Sequence, residues 1–152
     1  MSQQSQAAER RLVLRVLARW QELCGERAFP PRESLAPALL EGDWEHCFCL
    51  VLDDPHNPRF DYVGTALAVP GWSWSRQSRV ADCPDRTLLK AATGFVPRVL
   101  AKRIPICVGD RAMHLERPIM FRAILLPLSD DGERIEALFG AANCREIAAE
   151  DG

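Results

Sequence analysis

RPIMFRAILLPLSDDGERIEALFGAANC, residues 117–144, is the stretch whose reading decides the fold. It divides into two apolar runs, 117–128 and 134–144, around Ser129-Asp130-Asp131-Gly132. Asp and Ser satisfy a turning backbone with their own side chains, and Gly132 is free to take a positive φ. Two such runs around such a turn predict a β-hairpin. Alternation puts Ile119, Phe121, Ala123 and Leu125 on one face and Met120, Arg122, Ile124 and Leu126 on the other. On the return strand the corresponding sets are Ile135, Ala137, Phe139 and Ala141 against Glu136, Leu138, Gly140 and Ala142. Both faces carry apolar residues, so the rest of the chain must supply two covers.

The remaining 124 of 152 residues are enough for that, and the length fits one domain with a core of its own. Nineteen basic against 21 acidic residues give a net charge of −2, which offers no electrostatic reason to expect nucleic acid or an anionic membrane. No apolar run approaches the roughly 18–20 residues that span a bilayer. MSQQSQAAERR has no apolar stretch before its charges and does not read as a secretion signal. Six cysteines scattered through apolar segments suit a reducing cytoplasm.

Past a frayed polar start through Gln6, the spacing predicts a helix from Ala7 to about Cys24. Val13, Val16, Leu17, Trp20 and Cys24 form its apolar stripe, opposite Arg11, Arg15, Arg19 and Glu22. Gly25 and Pro30-Pro31 stop it. A turn and short helix follow over 31–40. His46–Asp54 reads as a strand, 55–58 as a turn and Phe60–Thr65 as a second strand of the same hairpin. Residues 66–84, with Pro70, Gly71, Trp72, Trp74 and Pro84, predict loop and short helical turns. Asp85–Lys102 is helical by the spacing of Leu88, Leu89, Ala92, Val96, Val99 and Leu100, with Gly94 and Pro97 bending or splitting it. Ile104–Val108 reads as a proline-bearing edge strand turned by Gly109-Asp110 into the final hairpin, and the tail from Ala148 is short and polar. Strands flanking a helical insert predict an α+β fold, an antiparallel sheet with helices gathered beside it.

Four segments carry a resemblance to a known family: Leu17-Ala18-Arg19-Trp20, Phe29-Pro30-Pro31-Arg32, Phe60–Ala66, and above all Phe121–Gly132, an Arg-bearing strand ending in a Pro-Leu-Ser turn. Over nearly its whole length the chain resembles the PAS fold, particularly a bacterial branch of short stand-alone PAS-like proteins. The resemblance implies a five-stranded antiparallel sheet with a helical insert on one face and an N-terminal helix. It divides the chain into helix and connector (1–28), PAS-like domain (29–148) and tail (149–152). It implies a cytoplasmic sensor or interaction module, with a small ligand or a signalling partner, and no catalysis. Asn143-Cys144-Arg145-Glu146 resembles the flavin-reactive Asn-Cys-Arg-Phe motif of light-sensing relatives, but follows the last strand instead of lying on an insert helix; it is read as coincidence.

Trp72, Trp74 and Phe95 from the insert, with Phe48, Leu50, Tyr62, Phe121, Leu125 and Phe139 from the sheet, are the candidate ligand pocket, set against plain core filling. Val13, Val16, Leu17, Trp20, Met120, Ile124 and Leu126 are the candidate homodimer interface, because they compete for little cover. Arg122 alternates away from the pocket and would need a one-residue bulge to become an anion partner there. Cys47 and Cys49 share a strand face, but a closed zinc site wants four ligands and no second pair stands at suitable spacing; with His46 they read as structural. His114 is the lone histidine for a haem, outside the insert, and reads instead as a partly exposed, hydrogen-bonded side chain. Asp53-Asp54 and Asp130-Asp131 read as turn formers. Ser73, Ser75 and Ser78 lack an elbow motif, and Gly64 and Gly71 lack phosphate-loop spacing. No catalytic residue, metal, haem or flavin is assigned. The alternatives are a small-molecule enzyme using the same cavity, or a structural partner with a filled core.

Overall fold

The computed structural model describes residues 3–148, with side chains from Arg10 onward. Residues Arg117–Leu128 and Ala137–Glu146 pair antiparallel, from Ile119 opposite Glu146 to Leu128 opposite Ala137. Between them Asp131 accepts the amides of Glu133 and Arg134 at 2.8 and 2.9 Å and the Ser129 hydroxyl at 2.9 Å, so one carboxylate closes the turn.

In chain order the elements are α1 (Gln3–Cys24), β1 (Cys47–Val51), β2 (Arg59–Val63), α2 (Leu88–Ala92), α3 (Val96–Lys102), β3 (Ile106–His114), β4 (Arg117–Leu128) and β5 (Ala137–Glu146). The five strands form one antiparallel sheet in the order β2-β1-β5-β4-β3. The predicted helix over 85–102 is split as Gly94 and Pro97 demand: α2 is capped by the Thr87 hydroxyl on the Lys90 amide, and Pro97 sits in the first turn of α3.

Three expectations are corrected. First, β3 runs straight through Gly109-Asp110, which lie opposite Arg122 and Phe121, and the chain turns at Leu115-Glu116 instead. Both turn residues have positive φ, 52° and 70°, as a two-residue hairpin loop requires, but neither is Gly, Asn or Asp, so the sequence carried no turn signal there. Second, the two long strands meet with Leu125 opposite Gly140 and Leu126 opposite Phe139. Phe139 therefore shares the face of Ile124 and Leu126, whereas Leu138, Gly140 and Ala142 share that of Leu125. A one-residue offset exchanges every side chain, and the length of the turn, not the alternation, sets that offset. Third, Asn143–Glu146 lies inside β5 rather than after it.

Helix α1 lies across β4 and β5 on the Phe139 face, within the same chain. Leu12, Val13, Val16 and Trp20 are buried there, and the Trp20 indole donates to the Pro127 carbonyl at 2.8 Å. The bidentate Arg15–Asp43 pair, 2.7 Å at both oxygens, ties the middle of α1 to the residues before β1. Helices α2 and α3 cover the opposite face. There Phe48 lays its ring over Gly140, where a Cβ would come within 2.2 Å of it. Gly64 makes a second close approach: a Cβ would lie 2.2 Å from the Glu45 carbonyl oxygen.

Candidate functional site

The nine residues expected to line one pocket are divided by the sheet. Phe48, Leu50, Phe121 and Leu125 lie on the insert face, and all are buried. Phe139 and Tyr62 lie on the α1 face, where Trp44 stacks on Tyr62 at 4.7 Å and tilts on Phe139 at 5.8 Å. Tyr62 reaches that face because β1 and β2 slip by one residue, Leu50 pairing Phe60 and Cys49 pairing Tyr62, with Asp61 bulged between. The two insert tryptophans straddle the β2 edge: Trp72 packs edge-on to Phe60 at 5.8 Å and Trp74 edge-on to Tyr62 at 6.4 Å. Under the insert the space is filled by side chains, with Phe48, Phe60, Leu50, Leu89, Val99 and Leu125 all fully buried.

Of the interface set, Val13, Val16, Trp20, Ile124 and Leu126 are buried inside the chain's own α1–sheet contact, and Leu17 and Met120 are half-buried. Arg122 keeps to the α1 side, its guanidinium lying over Gly109 and its Nε buried without a hydrogen-bond partner; β4 has no bulge to turn it inward.

The space that does open beside the insert lies at its rim. A cleft of about 380 Å³ runs between the β1–β2 turn (Pro55, His56, Pro58) and the insert (Thr93, Val96, Pro97, Leu100), with Val80 also lining it. That volume lies in the range of small-molecule sites, and three prolines make its walls stiff. None of the nine predicted residues lines it. The Asx turns that shape one wall were legible: Asp54 accepts the His56 amide at 3.1 Å, and Asp53 holds Arg59 and Arg79 at 3.0 and 3.3 Å. Across the cleft the Thr93 hydroxyl donates to the Leu89 carbonyl at 3.0 Å, and Lys90 Nζ donates to the Val80 carbonyl at 3.1 Å. A larger space of about 510 Å³ is lined by Arg11, Leu12, Arg15, Gly42, Asp43, His46 and Asn143, and its buried carboxylate already neutralises Arg15.

A five-stranded antiparallel sheet, one helix behind it and a short helical insert in front is the architecture on which a profile of the PAS domain family matches residues 9–143. The chain belongs to the PAS domain family. Among solved structures it is similar to a fungal LOV-domain photoreceptor, at 12% identity over 90% of this chain and 89% of that one, with a TM-score of 0.35. A search of curated proteins finds no match.

Within this PAS domain the cysteines are free thiols, and burial pushes those of Cys24, Cys47, Cys49 and Cys83 upward, Cys49 to about 12. Those thiols stay protonated at neutral pH and make poor nucleophiles. Among the described residues no group of three or more His, Cys, Asp and Glu side chains could hold a metal ion. No helix among them is long and apolar enough to cross a membrane. His114, half-buried, closes the β3–β4 hairpin opposite Arg117 and accepts the Leu88 amide on Nδ1 at 2.9 Å. Sequence alone gave no sign that this ring reaches the insert.

Proposed function

We propose that the chain is a cytoplasmic sensory or protein-interaction module of PAS type in bacterial regulation, and that a small, mainly apolar ligand seats in the cleft between the β1–β2 turn and α3. The cleft is the observation that carries this reading. It joins a rigid turn on the sheet to Val96, Pro97 and Leu100 of the insert, so an occupant would favour the packing of α3 that closes on it. Family membership supports the sensory and interacting part.

Native mass spectrometry of freshly purified protein tests it. Extra mass should be retained in the wild-type protein and lost in Val96→Trp, whose ring fills the cleft, with an unchanged far-ultraviolet circular dichroism spectrum. Wild-type protein that carries no extra mass, and takes up no apolar fluorescent probe displaceable by Val96→Trp, overturns the ligand. A second reading, a partner-binding module that needs no ligand, is favoured by the filled space under the insert. A homodimer through the α1 side would draw on what the intrachain packing leaves uncovered, chiefly Leu14, 61% exposed, and the outer part of Leu17.

A further inference from the structure

We propose that His114 is a pH-operated latch: as a neutral ring it holds the start of the helical insert against the β3–β4 hairpin, and as a cation it releases it. The proposal goes beyond the ligand reading and stands whether or not the cleft is occupied. It rests on one contact between two segments far apart in sequence. Leu88 is the first residue of α2, and its amide is one of the donors that the helix itself cannot satisfy. The ring supplies the acceptor, Nδ1 at 2.9 Å. A nitrogen that accepts carries no proton, so the contact fixes the neutral tautomer with hydrogen on Nε2. A second bond lies beside it, from the Leu115 amide to the Arg86 carbonyl at 3.0 Å.

The latch is set under strain. Of the four described non-glycine residues with positive φ, three meet here, Arg86 at 59°, Leu115 at 52° and Glu116 at 70°. Such conformations persist where surrounding bonds over-determine them, and the Leu88–His114 bond stands among those that do, with the Leu115–Arg86 bond and the Arg86–Glu116 pair. Protonation turns Nδ1 from acceptor to donor and faces it with the Leu88 N–H, so the bond is replaced by a donor–donor clash. Burial holds the ring below its ordinary value, with Glu146 pulling partly back. On the hairpin side the charged groups around it are paired: Arg117 across the ladder with Glu146 at 3.3 Å, and Glu116 in the turn with Arg86 at 3.6 Å. On the insert side stand Asp85 and Lys90, the latter bonded to Val80. Among the described residues no carboxylate forms an ion pair with the ring that would keep it in place once charged. Because the folded ring is harder to protonate than the unfolded one, the latch is fully closed above the ordinary histidine value, weakens as pH falls below it and opens as pH falls through the lower folded value.

Amide hydrogen exchange read by NMR tests this on the full chain. Between about pH 7.5 and about pH 5, after correction for intrinsic exchange, protection of the Leu88 amide should fall roughly fivefold or more while Ala123, mid-sheet, keeps its own. His114→Asn, whose Oδ1 can accept but does not titrate, should retain protection at both values. Equal Leu88 protection at both values in the wild type, or the same pH dependence in His114→Asn, overturns the latch. The imidazole nitrogen shifts of the wild type give a reading that needs no variant: a proton on Nδ1 at neutral pH would sink it.

Discussion

Gly140 is the residue on which the sheet face under the insert turns. Its missing side chain is the space the Phe48 ring occupies, and the ring is fully buried. Gly140→Ala should destabilise the fold by about 2–3 kcal/mol, the usual cost of overpacking, and lower the thermal midpoint by several degrees. Gly132→Ala is no such case, since open space surrounds that position and only its φ of 79° resists. Asp131 does the opposite work at the hairpin turn. The Arg134 and Glu133 amides first, and the Ser129 hydroxyl after them, pull its carboxyl down to about 2. A depressed folded value means that the folded state binds fewer protons, so this contribution is intact above about pH 4 and drains away as pH falls toward 2. Asp131→Asn should flatten the acid limb of a stability profile over that window; a limb of unchanged slope would put the turn's stability elsewhere. That Asp131 forms a turn was legible from residue types alone, because its turn chemistry lies within six residues; that the Asp130 carboxylate instead accepts the Arg32 amide at 2.9 Å was not.

At the scale of elements, α1 is an intrachain cover, and Trp20 is where it is fastened. Trp20→Phe keeps most of the buried area and strands the Pro127 carbonyl, at a cost of about 1–3 kcal/mol. Trp20→Ala should cost about 3–5 kcal/mol and be read in a urea midpoint. The amphipathic stripe of this helix was legible, since Val13, Val16 and Trp20 recur at its period; what they would meet was not. The β3–β4 hairpin teaches the converse. Its turn residues, Leu115 and Glu116, hold left-handed conformations against their nature. Replacing the pair by Asn-Gly should stabilise the hairpin by about 1 kcal/mol or more, visible as a raised unfolding midpoint. A lowered midpoint would show that Leu115 or the Arg86–Glu116 pair matters more than backbone strain.

For the whole molecule, the sheet stays soluble only with both faces covered. Removing residues 1–24 would bare Ile124, Leu126, Phe139 and Ala141, and the truncated chain should aggregate or elute as large species on size-exclusion chromatography. A monodisperse truncation would mean that another segment can cover that face. The sequence by itself determined most of the elements, the α+β class and the hairpin at 117–144, because periodicity, Pro and Gly act over a few residues; it missed the turn at Leu115-Glu116 and the end of β5. It also carried the PAS likeness, through segments whose local order the fold preserves. Only the tertiary structure decided which face each side chain takes, since the slip at Leu50–Phe60 and the offset at Leu125–Gly140 each exchange faces by a single residue. The filled core under the insert, the cleft at its rim and the reach of His114 to Leu88, 26 positions away, join segments distant in sequence, and no local pattern encodes them.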